Sequence, residues 1–176
     1  MDRYKKQKHK VFISFYHYDD QYYKDYIDKY LSKNIINKSV ASGEYNSDNS
    51  DEYIKRLIRE KKISDSSVIV VLIGQNTKNR KHVDWEIYAG LRKSIRGNSG
   101  LIGILLPEVR RTVEGCYYYS DLPARLADNV RSGYAKIYDW DVAINKFDLI
   151  IEEAFNNRID RKDKINNSRS QMQRNL

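Results

Sequence analysis

The sequence predicts an α/β protein: a three-layer α/β/α sandwich around a five-stranded parallel sheet. Three observations carry this. Short apolar runs alternate with segments whose apolar residues recur at helical spacing, the pattern of βα units rather than hairpins. In the run Ser67–Ile73 every residue after the serine is β-branched apart from Leu72, which marks a central strand buried on both faces. Right-handed crossovers then restrict the topology. For five such strands the expected order is 2-1-3-4-5, the flavodoxin-like arrangement.

The elements follow in order. Val11–Phe15 is the first strand, and a helix from about Asp20 to Ser32 follows, presenting Tyr23, Tyr26, Ile27, Tyr30 and Leu31 on one face. Residues 35–41 form a short second strand before a polar loop, 42–50, that holds Gly43. A helix over about 51–62 buries Ile54, Leu57 and Ile58 and leads into the central strand. The spacing Ile87, Leu91, Ile95 predicts a helix over about 84–95. A fourth strand, Leu101–Leu106, is stopped by Pro107. Residues 108–133 read as irregular with a short helix near Pro123; a fifth strand, Tyr134–Tyr138, precedes a last helix over about 141–156.

At 176 residues and 40% apolar content the chain can bury one real core. No apolar run approaches the roughly 18 to 20 residues that span a bilayer. The polar, basic stretch 1–10 lacks a following apolar segment and does not read as a secretory leader. A cytoplasmic protein with no membrane partner is expected. Cys116 is the single cysteine, which forbids an internal disulfide and suits a reducing compartment.

The net charge of +8 sits at the two ends. Residues 1–10 carry five basic and one acidic side chain, residues 158–176 carry six and two, and the stretch between them is balanced at 21 each. The body of the domain therefore gives no support to nucleic-acid binding. The expected organisation is a basic segment 1–9, a domain over 10–157, and a flexible basic tail over 158–176 that frays.

In the 2-1-3-4-5 order a ligand crevice opens between the carboxyl ends of the first and third strands. The first strand delivers Phe15, Tyr16 and His17 there; the third delivers Gly74, Gln75 and Asn76. The helix starting near Asp84 places Trp85 and Glu86 in its first turn. Each residue also has a plainer reading. Glu86 can simply favour the helix dipole, an effect of about 0.3 to 1 kcal/mol. His17 can close a strand end, Phe15 and Tyr16 can be core and rim, and Gln75 can serve the loop backbone.

Several chemistries are excluded. The chain has no G-x-G-x-x-G after the first strand, no P-loop, no G-x-S-x-G elbow and no CxxC. His9, His17 and His82 lack i, i+4 partners, so no metal site and no bound cofactor are expected. One carboxylate is too few for an ordinary glycosidase, whose leaving group needs an acid. Cleavage of a nicotinamide–ribose bond is different, because a neutral base departs and one fixed anion can stabilise or trap the ribosyl centre.

The ordered segments Lys10-Val11-Phe12-Ile13-Ser14-Phe15 with His17 and Asp20, Val70-Val71-Leu72-Ile73-Gly74 with Thr77, Asn79 and Arg80, and Val83-Asp84-Trp85-Glu86-Ile87 resemble TIR and TIR-like domains. The likeness is greatest to the ThsB proteins of bacterial Thoeris anti-phage systems. It extends through Tyr138-Asp139-Trp140 and Asn145-Lys146-Phe147, covering about residues 10–157. The resemblance implies NAD⁺ as substrate and Glu86 as the catalytic carboxylate. Phe15, Tyr16 and Trp85 would shape the pocket, while His17, Asp20, Gln75 and Arg80 would orient ribose or phosphate. It further implies an ADP-ribose-derived messenger, typically cyclic, that activates a separate effector protein, and TIR surfaces that can self-associate. A non-catalytic TIR-type scaffold and a nucleoside deoxyribosyltransferase-like enzyme remain the alternatives.

Overall fold

The computed structural model describes residues 8–39, 48–94 and 97–176. Five strands, β1 His9–Ser14, β2 Ile35–Asn37, β3 Val68–Ile73, β4 Gly100–Leu105 and β5 Lys136–Asp139, form one sheet in the order β2-β1-β3-β4-β5. All four pairings are parallel. The expected order and fold class therefore hold. Register is set in the centre, where Val11 pairs with Val68 and Val68 with Gly100. Every residue of β3 and β4 is buried, the signature of strands covered on both faces.

Side-chain alternation sends Phe12, Ile69 and Val71 to one face and Val11, Ile13, Val70 and Leu72 to the other. The first face is covered by α2 Asp51–Leu57, α3 Lys81–Leu91 and α4 Ala124–Arg131. The second is covered by the end of α1 His17–Tyr26, by α5 Trp140–Asn145 and by α6 Phe147–Asp160. Gly100 is a glycine for a spatial reason: a Cβ there would lie 2.0 Å from the Ala154 carbonyl of α6.

The boundaries differ from expectation in instructive ways. α1 begins at His17, three residues early, directly after Tyr16 leaves the strand. α1 and α2 each widen into a π-type turn, Ile27–Leu31 and Ile58–Ile63, and that change of pitch leaves Tyr30 54% exposed rather than on the buried face. Leu57 is only half-buried. β2 stops at Asn37, whose side chain accepts from Ser39 instead of continuing the ladder. The last helix is broken at Lys146, which has φ −126° and ψ 23°. Residues 1–7 of the basic N-terminal segment, residues 40–47 with Gly43, and Ile95 lie outside the described residues.

Two corrections matter for function. α3 begins at Lys81, so Glu86 stands in its second turn and Asp84 is the first-turn acid. The segment 158–176, expected as a fraying tail, is docked on the domain. After α6 it crosses α4 and α3: Asn129 exchanges hydrogen bonds with Asn166, Arg169 grips Asp128, and Trp85 Nε1 donates to the Met172 carbonyl at 2.8 Å. Its cations and amides carry the docking, so low apolar content does not mean a loose chain here.

Candidate functional site

Glu86 is 3% exposed and lies on the side of α3 that faces β1. The hydroxyl of Ser14, the last residue of β1, donates to its Oε2. The alternation of β1 explains the meeting: Phe12 packs on the α3 face, and Ser14 follows it two residues later on the same side. A buried carboxylate is thus fixed at the carboxyl end of a central strand, where parallel α/β sheets hold their ligands.

The rim comes from the next residues of the chain. Tyr16 is the cap residue of α1, and the Arg80 guanidinium stacks over its ring at 3.8 Å. The Arg80 Nε is buried with no hydrogen-bond partner among the described residues. His17 packs against Phe15 with ring centroids 4.1 Å apart. Phe15 itself is 5% exposed and belongs to the core of the α1–α5–α6 face. Its ring is thus on the opposite side of the sheet from the Glu86 face, a core residue rather than a pocket wall. Nearby, burial and the adjacent Lys81 charge hold the His82 imidazole below its usual pKa.

Asp20 is buried, and loss of hydration pushes its carboxyl up to about 6 against a lowering hydrogen bond from Thr77. The Thr77 hydroxyl donates to Asp20 at 3.1 Å and accepts from the Gly74 N–H at 2.9 Å. A Cβ on Gly74 would meet Asp20 Oδ1 at 2.3 Å, so this brace between α1 and the end of β3 requires glycine. Asp20 is therefore enclosed as a strut beneath the rim.

Two sequence-selected residues go elsewhere. Gln75 is exposed and donates through Nε2 to the Glu108 carbonyl at 3.0 Å. It lines an open depression of about 400 Å³ with Lys78, Arg110 and Asp121, beside the loop that follows β4. One residue of helix turns the Trp85 side chain about 100° from Glu86, and Trp85 is 1% exposed, packed in the core of the α2–α3–α4 face. It faces a cleft of about 380 Å³ shared with Lys55, Tyr88, Arg92 and Gln171, and the Lys55 and Lys81 ammonium groups lie 4.9 and 5.0 Å over its ring. The structure thus pairs Arg80 with Tyr16 at the start of α1, stacks His17 on Phe15, sets Glu86 against Ser14 at the end of β1, and sends Gln75 and Trp85 to the flanks.

Sequence reasoning passes over Ser14 and Asp84 as site residues. The signal for Ser14 is present: a lone hydroxyl inside the apolar run Val11–Phe15 needs a partner when that run is buried. Asp84 is 4% exposed and receives Arg125 Nε at 2.8 Å, Arg125 Nη2 at 3.3 Å and the Met172 N–H at 2.8 Å. Arg125 is fully buried and also donates to the carbonyls of Arg169 and Ser170. Nothing local in the sequence announces this pairing across 41 residues.

A parallel sheet of this order, covered by helices on both faces, defines a flavodoxin-like α/β domain. Residues 12–111, more than half of the chain, match the family described as Thoeris protein ThsB, TIR-like domain. The chain belongs to that family. Among solved structures, it is similar to the TIR domains in the activated Roq1 resistosome that directly recognises the pathogen effector XopQ, at 13% identity and a TM-score of 0.41, covering 90% of this chain and 84% of that one. Among the described residues no helix is long and apolar enough to cross a membrane.

Proposed function

We propose that this protein cleaves NAD⁺ at the nicotinamide–ribose bond and converts the ADP-ribosyl group into a messenger of cyclic ADP-ribose type, acting in the cytoplasm within anti-phage immunity. One observation carries the reading: the Glu86 carboxylate is buried, turned toward the end of β1 and held by Ser14. Membership of the ThsB family supports it.

The chemistry follows from charge. The C1′–N bond breaks with its electron pair moving to the pyridinium nitrogen, so nicotinamide leaves neutral and needs no acid. Positive charge develops on the ribose, and a preorganised anion in a water-poor site stabilises it more strongly than one in bulk solvent. Glu86 supplies that anion or captures C1′ covalently. A hydroxyl of the same molecule, or another acceptor, then bonds to C1′, breaking the C1′–Oε bond where Glu86 has captured the ribose, and its proton passes to the freed carboxylate or to water. Arg80, with its unpartnered Nε, is the donor best suited to a phosphate or ribose oxygen, and stacking on Tyr16 holds its plane. The product acts on a separate effector protein, and TIR surfaces serve self-association.

The test is incubation of the purified protein with NAD⁺, with and without lysate from phage-infected cells, followed by mass spectrometry. Nicotinamide and an ADP-ribose-derived nucleotide are expected. Absence of nicotinamide in every condition, beside a working TIR enzyme, refutes the proposal.

A further inference from the structure

α3 carries the glutamate on which the proposed chemistry rests, yet its own N-terminus has no local cap. Arg80, the residue before the helix, makes no side-chain cap hydrogen bond. The first N–H groups of a helix need acceptors, and an uncapped start frays. In this protein the acceptor comes from 94 residues away: Asn175 Oδ1 receives the Lys81 N–H at 2.9 Å. The next residue, Leu176, donates its N–H to the Asn79 carbonyl at 3.0 Å, in the turn that leads into Arg80.

Between these contacts and α6 the segment is anchored in depth. Arg125, wholly buried, donates to Asn167 Oδ1 and to the carbonyls of Arg169 and Ser170 while pairing with Asp84. Met172 then holds α3 on two adjacent residues, its N–H to Asp84 Oδ2 and its carbonyl to Trp85 Nε1, each at 2.8 Å. Two bonds to neighbouring side chains fix both the rotation of α3 about its axis and its position along it. Glu86 is the next residue, so the same bonds set where its carboxylate meets Ser14.

We infer that segment 166–176 is a positioning strap, supplying the cap of α3 through Asn175 and orienting Glu86 through Met172. The positioning role rests on the reading of Glu86 as the reacting carboxylate, whereas the capping role can be tested without it. The strap touches no reacting atom; it acts through α3.

The experiment uses the full chain with Asn175→Ala, Asn175→Asp and Met172→Pro, the last removing the N–H that bonds Asp84. Amide hydrogen exchange at residues 81–86, melting temperature, and kcat and KM for nicotinamide release are measured on each. Asn175→Ala is expected to speed exchange at the start of α3 about tenfold and to lower kcat roughly three- to tenfold with KM within about twofold. Asn175→Asp, which keeps an acceptor oxygen, restores both, and Met172→Pro repeats the kcat loss. Unchanged exchange in Asn175→Ala and Met172→Pro overturns the strap, whatever the activity. Faster exchange with unchanged kcat overturns its positioning role. A wild-type protein that releases no nicotinamide refutes the proposed activity instead, and the exchange data still decide the cap.

Discussion

Asp84 and Glu86 stand two residues apart on α3, both almost wholly buried, and the two flanks of the helix treat them differently. On the flank toward α4 and segment 166–176, Asp84 takes a guanidinium and a backbone N–H. Those donors make it a structural charge. On the flank toward β1, Glu86 accepts the hydroxyl of Ser14 at the end of a central strand. The contrast teaches that burial of a carboxylate does not by itself mark a reactive group. What distinguishes the two is where their donors come from: the packed flank of α4 and segment 166–176 for Asp84, and the carboxyl end of a central strand for Glu86.

Mutations on the two flanks should separate stability from activity. The largest loss of stability is expected from Arg125→Ala, which strands the buried Asp84 charge and costs about 3 to 5 kcal/mol in chemical unfolding. Asp20, a third buried carboxylate and one with no cation bonded to it among the described residues, comes next. Its folded pKa, raised to about 6 from 3.8, means the folded state binds its proton more tightly than the unfolded chain. That stabilisation is complete below about pH 4 and is lost as pH rises through about 6, by up to about 3 kcal/mol. Asp20→Asn keeps an acceptor for Thr77 and should flatten this slope in unfolding measured across pH, leaving the variant more stable than wild type at about pH 8. Ser14→Ala should cost about 1 to 3 kcal/mol by removing a donor from a buried carboxylate. Steady-state kinetics should show it lowering kcat more than it raises KM.

Strand order is legible because β3 and β4 are uninterrupted apolar runs and each crossover is long enough for a helix. Glu86 stands out because its surrounding segments resemble a family; its place within the helix does not follow from spacing. The start of α3 lies three residues before the expected Asp84. Lys81 and His82 look like loop, and the cap that makes them helical is Asn175, far along the chain. The same cause hides the docked segment 166–176, whose attachments are amides, carbonyls and Arg125 rather than an apolar stripe. Gln75 and Trp85 adjoin site elements in sequence, but a turn and a helical step of about 100° carry them to the flanks. Periodicity reports which face is apolar; it does not report which distant polar group closes a helix.

The most direct measurement compares nicotinamide release from NAD⁺ by wild type, Glu86→Gln and Asp84→Asn under the same activating condition, with melting temperatures taken in parallel. Glu86→Gln is expected to lose about 10²- to 10³-fold in kcat while remaining folded, and Asp84→Asn to lose mainly stability. Equal rates in wild type and folded Glu86→Gln would contradict a reactive role for the carboxylate at the end of β1.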